Sequence, residues 1–158
     1  MNCLEKHLSD IVRMEIYPDT QCTFPVPANV SVQSMTLAPG ALSGSPAAVF
    51  ALSPDDGEFT MTDMPTVKVT DGRQDAGVLY THDIQLSVAI QRAEAIRVLE
   101  RLYLNDFHFI YTRSDNTKWL SRSLPNTSVC NTENTDSSNS VLTIKIKMSS
   151  MSSLIELT

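Results

Sequence analysis

Between residues 78 and 90 the chain alternates without a break. Val78, Tyr80, His82, Ile84, Leu86, Val88 and Ile90 share one face, and Leu79, Thr81, Asp83, Gln85, Ser87 and Ala89 share the other. A period of two sustained over thirteen residues is the pattern of a half-buried β-strand. At about 3.3 Å per residue it spans roughly 43 Å, more than a small closed core needs. Residues 78–90 hold no Lys or Pro to blunt an exposed edge. The expectation is therefore that one end projects as a hairpin arm and that copies of the chain associate through this strand and a sheet edge.

Other segments extend the β reading. Val30 and Val32, Met35 and Leu37, the apolar run 48–52, Phe59 and Met61, and Val67 and Val69 give short alternating pieces between Pro/Gly-rich turns. Phe107, Phe109 and Tyr111 alternate, a turn falls at 114–117, and 118–124 returns as the second arm of a hairpin that Pro125 ends. Leu142, Ile144, Ile146 and Met148 alternate against Val141, Thr143, Lys145 and Lys147, and Leu154, Ile155 and Leu157 extend a sheet edge. Two stretches read as helix. Leu4, Leu8, Ile11 and Val12 fall at helical spacing, and Ala95, Val98, Leu99 and Leu102 form a stripe over about 91–104. The predicted fold class is α+β, mainly β: an antiparallel sandwich or open barrel with one packed helix (about 91–104). Residues 1–158 are expected to form a single domain. The Asn/Ser/Thr-rich stretch 126–140 is expected to be a flexible polar loop.

Composition narrows the function classes. The 158 residues are 42% apolar and 19% charged, a globular balance, and carry a net charge of −6. Residues 1–83 hold eleven acidic and four basic side chains, net −7, and residues 84–158 seven and eight, net +1. An acidic total repels phosphate backbones, so nucleic acid is not an expected partner. Solvated acidic loops account for the asymmetry; if the two tendencies lie on opposite faces, they would also suit head-to-tail self-association. No apolar run reaches the length of a membrane span, and the start of the sequence does not read as a signal peptide. Cys3, Cys22 and Cys130 are odd in number and far apart, which fits a reducing, cytoplasmic setting.

The chemistry-bearing residues form no recognisable catalytic set, and the expectation is a chain that is not an enzyme. The nearest approach to a nucleophile elbow, Gly40-Ala41-Leu42-Ser43-Gly44, has the wrong spacing. No closely spaced His/Cys ligand pair and no phosphate-binding glycine loop occurs, so no metal and no cofactor is expected. Asp55, Asp56, Glu58 and Asp63 have calcium-binding chemistry without calcium-loop spacing, and a turn explains residues 54–57. Alternating aromatics at 107–111 read as core rather than as a base-stacking platform. The residues singled out as an assembly or binding surface are Tyr80, His82 and Trp119: two on the apolar face of the long strand and one aromatic suited to an interface.

The run from Gly77 to Ile84, the stretch leading into Asp106-Phe107, the hairpin ending Trp119-Leu120, the residues Leu124-Pro125-Asn126-Thr127-Ser128, and the closing segment Met151-Ser152-Ser153-Leu154-Ile155 together resemble small structural proteins of prophage-like clusters of gut bacteria. In outline these are similar to tail tube or tail-completion proteins of tailed bacteriophages. The resemblance covers roughly the second half of the chain. It implies a sandwich or barrel that forms rings through sheet edges and long loops, with no catalytic residues to carry over. The expected function is a non-enzymatic structural or assembly subunit, a virion component forming homo-oligomers and meeting other structural proteins, cytoplasmic until assembled. The alternative is a small-molecule or peptide-binding α+β module with its pocket near His82 and Tyr80.

Overall fold

The long alternating run forms strand β7 (Gly77–Ala89), and it lies at the centre of a sheet. The computed structural model describes residues 5–22, 34–37, 39–53, 55–57, 59–74, 77–89, 107–122, 128–135, 140–150 and 154–158. Among these, twelve strands build two sheets. Sheet A has the order β1 (Glu5–Leu8), β6 (Thr66–Gln74), β7, β11 (Ser140–Ser150), β10 (Ser128–Thr135), all antiparallel. Sheet B has the order β3 (Ser34–Met35), β12 (Ile155–Leu157), β9 (Lys118–Arg122), β8 (Phe107–Arg113), β2 (Ile11–Pro18), β4 (Ala48–Ala51), β5 (Phe59–Thr60). Its outermost pairs, β3–β12 and β4–β5, are parallel.

This corrects the predicted fold class. The described residues contain no α-helix, only strands and one 3-10 turn at Asp19–Gln21, and sheet B is mixed rather than purely antiparallel. The stretch 91–104, read as a packed helix, lies outside the described residues, as do Val30 and Val32. The N-terminal helical spacing is instead two strands, β1 and β2, separated by Ser9 and Asp10. Asp10 takes a left-handed φ of 57°, which a short polar side chain tolerates. Leu8 and Ile11 reach the same core from different sheets, so a spacing of three imitates one helix face.

Two further expectations change. The polar stretch 126–140 contains β10, paired residue by residue with β11 from Ser128↔Lys147 to Thr135↔Ser140. Strand β7 is not a free arm: β6 pairs with it from Thr66↔Gln85 to Gln74↔Gly77, and β11 pairs with its other side from Val141↔Ala89 to Ser150↔Tyr80.

The core is the space between the sheets. Val67 and Val69 on β6, Ile84, Leu86 and Val88 on β7, and Ile144, Ile146 and Met148 on β11 meet Met14 and Ile16, Phe50, Phe59, Phe107 and Phe109 from sheet B. Phe50 and Phe59 stack with ring centroids 5.2 Å apart. The sheets cross steeply. His82 of β7 meets Ser121 of β9, whereas Val88 bridges Met61, next to β5. From β9 to β5 is four strand spacings, about 19 Å, and from residue 82 to 88 along a strand is about 20 Å. The two lengths agree when β7 runs across the strands of sheet B, the orthogonal form of sheet packing.

The corner that such packing requires is made by residues 59–62. Phe59 and Thr60 pair with β4, the Met61 amide donates to the Ala51 carbonyl (2.7 Å), and the Thr62 amide donates to Ser87 on sheet A (2.9 Å). Sheet B is covered on its outer face too. Tyr17, Ile110, Leu120, Ile155 and Met35 form a second cluster there, packed against Cys22, Leu37 and Leu42.

Candidate functional site

Three groups of polar residues stand out, and their accessibility separates them. The first lies inside the sandwich. His82 and Ser121, both without exposed surface, approach to 3.0 Å between Nδ1 and Oγ. Tyr111 lies on the same face of sheet B, fully buried, and its hydroxyl meets no hydrogen-bond partner among the described residues. Burial pushes the Tyr111 phenol up from its ordinary value, partly offset by the neighbouring Ser121 hydroxyl. Of the residues singled out in the sequence, Tyr80 and His82 share the inner face of β7, and Trp119 stands two residues before Ser121. Tyr80 and Trp119 are half-buried against the main core, and Trp119 Nε1 donates to Thr117 Oγ1 (3.3 Å). A serine hydroxyl beside an imidazole is the pair that nucleophilic catalysis uses. Here both are sealed between the sheets, so the arrangement ties sheet to sheet and offers no approach to a substrate.

The second group lies on the covered outer face of sheet B. Residues 13, 15 and 17 of β2 point the same way because a strand has period two. Arg13 Nη1 meets Glu15 Oε1 at 2.8 Å, and the Tyr17 hydroxyl donates to Glu15 Oε2 at 2.6 Å. The buried carboxylate thus has a partner on each oxygen. Burial first, and then the Glu15 hydrogen bond and charge, push the Tyr17 phenol well above its ordinary value of 10.0. His108, also buried, is the cross-strand neighbour of Tyr17. With Glu15 and Tyr17 engaged with each other and buried, this group fixes the outer layer rather than presenting reactive atoms.

The third group is open. On the outer face of sheet A the register aligns Lys68, Asp83 and Lys147 across β6, β7 and β11, and Thr66, Gln85 and Lys145 in the next row. These residues are exposed and line a shallow groove of about 490 Å³. Over the three strands this face carries three lysines and one aspartate, against the acidic total of the chain. Beside it, β10 ends the sheet: among the described residues no strand pairs with its far side.

No protein-family model, no curated protein and no solved structure matches this chain.

Among the described residues no group of three or more His, Cys, Asp or Glu side chains is placed to hold a metal ion, and no helix is long and apolar enough to cross a membrane. Sequence reading named His82 but not Ser121, because nothing local marks a serine 39 residues away as its partner. Lys68 is far in sequence from Lys145 and Lys147, and the three become one surface only in the folded sheet. The alternation of Lys145 and Lys147 with Ile144 and Ile146 was the available signal for a charged outer face, and only strand order adds Lys68 to it.

Proposed function

We propose that this chain is a non-enzymatic structural subunit that assembles with further copies of itself through the open edge of sheet A. The observation that carries the reading is β10. Its eight residues, Ser128–Thr135, offer an uncovered row of backbone donors and acceptors among the described residues, and they contain no Lys, Pro or Gly to discourage pairing. The other edges are protected by length or composition. Strands β3 and β5 are two residues long, β5 continues into the corner, and β1 is four residues long and carries Glu5, Lys6 and His7. Antiparallel pairing of β10 with its own copy, centred between Asn131 and Thr132, sets Glu133 across from Cys130 and puts no like charges opposite each other. The enclosure of His82 and Ser121 supports the non-enzymatic part of the reading, and it leaves little room for a ligand pocket centred on His82. The resemblance of the second half of the chain to phage tail proteins supplies a setting for such assembly, a virion or prophage component.

Sedimentation at rising concentration tests the reading. The wild-type protein is expected to form dimers, and Thr132→Lys, which puts a charge into the open edge strand, is expected to remain monomeric. A wild-type protein that stays strictly monomeric into the millimolar range would overturn the proposal.

A further inference from the structure

A turn carrying Asp55 and Asp56 lies on the face of the sandwich opposite the lysine-lined groove. Gly57 fixes it there: a Cβ placed at Gly57 would stand 2.9 Å from the Ala51 Cβ and 3.2 Å from Val49 Cγ1. Ala48 and Phe50 of β4 point into the core, so Val49 and Ala51 point outward, and Gly57 packs against them on the outer face of sheet B. The Asp56 amide donates to the Ser53 carbonyl (3.1 Å), closing a turn that presents Asp55 and Asp56 to solvent. Lys68, Lys145 and Lys147 line the groove on the outer face of sheet A, with both layers of the sandwich in between. Within that groove Asp83 has lysines as cross-strand neighbours on both sides, whereas the neighbour of Lys145 on β7 is Gln85, an uncharged residue.

We propose that the lysine-lined groove of sheet A receives the Asp55–Asp56 turn of another copy, a head-to-tail contact separate from β10 pairing. The inference rests on the assembly reading and adds a second surface to it. Edge pairing by a two-fold axis closes on itself and stops at a dimer. A contact between two different surfaces on opposite faces leaves each copy with one of each still open, so it propagates into stacks or rings. Charge complementarity selects the occupant: an acidic turn meets Lys145 and Lys147, whose neighbours on β7 are Gln85 and Asp83. Exposed charges are screened by salt, whereas backbone pairing along β10 is not, so ionic strength separates the two contacts.

The experiment is sedimentation velocity with electron microscopy at ionic strengths of about 0.01 M and about 1 M, where the screening length falls from roughly 30 Å to 3 Å. Wild type is expected to form species larger than dimers at low salt and to return to dimers at high salt. Lys145→Glu with Lys147→Glu, or Asp55→Lys with Asp56→Lys, is expected to weaken the low-salt association by roughly tenfold or more, as exposed attractions become repulsions. The fourfold variant carrying both reversals, or a one-to-one mixture of the two double variants, is expected to recover it, which excludes misfolding as the cause of the loss. Low-salt species that survive either reversal, or a fourfold variant that does not recover, would overturn the groove contact. Dimers persisting without larger species would also overturn it while leaving the edge reading intact. A Thr132→Lys protein that still makes salt-sensitive stacks would support the groove contact alone.

Discussion

His82 on β7 and Ser121 on β9 join the two sheets through the middle of the sandwich, Nδ1 to Oγ at 3.0 Å, with no surface of either exposed. Truncating one partner of a buried hydrogen bond leaves the other desolvated and unsatisfied. Ser121→Ala is therefore expected to cost about 1–3 kcal/mol in urea denaturation. Combining it with His82→Leu is expected to cost less than the two single changes added together, by about 0.5 kcal/mol or more. Strict additivity would show that the contact carries no energy.

Alkaline pH is expected to unfold the protein through its buried phenols. Tyr111 and Tyr17 both titrate above their ordinary value of 10.0 in the folded state, chiefly through burial. Below pH 10 both folded and unfolded chains keep these protons, and the stability from this source is intact. Above it the unfolded chain releases protons that the folded chain retains, so stability falls as pH rises, by about 1.4 kcal/mol per pH unit for Tyr111. Tyr111→Phe removes that slope, and denaturation midpoints measured from about pH 9 to 11 would reveal it. An unchanged slope would mean that the phenol is not shielded.

Hydrogen exchange on β10 is expected to alternate. In an antiparallel edge strand the amides of alternate residues face the neighbouring strand and the rest face outward. In the monomer, roughly half of the β10 amides should exchange slowly because they are bonded to β11, and the others fast. If β10 pairs with a second copy as proposed, the fast set should slow. Uniformly fast exchange across β10 would contradict its pairing with β11.

Gly57→Ala is expected to destabilise the fold by about 1–3 kcal/mol, because the added methyl has no room beside Ala51 and the turn must lift off sheet B. The same change should weaken any contact made through Asp55 and Asp56 more than Thr132→Lys does. A neutral effect on thermal unfolding would show that the turn is loosely packed.

Strands that alternate between a dry face and a wet one were legible in the sequence. Residues 78–90 predicted β7 to within one residue at each end, and Phe107, Phe109 and Tyr111 marked β8. What could not be read was pairing. The Asn- and Thr-rich composition of β10 signals a loop, and its order comes from pairing with β11, which composition does not record. The helical spacing of Leu8 and Ile11 misleads because two strands on different sheets supply the two residues; Leu4 lies outside the described residues. Of the site, His82 was visible as an odd polar residue on an apolar face. Its partner Ser121, and the lysine row built from β6 and β11, exist only once strand order is known.

Among the described residues strand β3 is joined to sheet B only through β12, in a parallel pair completed by the Thr158 amide donating to the Met35 carbonyl (2.9 Å) and by contact between the hydroxyls of Thr36 and Thr158, 122 residues apart. During synthesis, residues 34–36 leave the ribosome long before their partner exists. Neither sheet can be finished by the portion of chain made first, since sheet A also waits for β10 and β11. The two sheets are therefore complete only after β12 has emerged, and until then the nascent chain carries unmatched strand edges that a holding chaperone would have reason to cover.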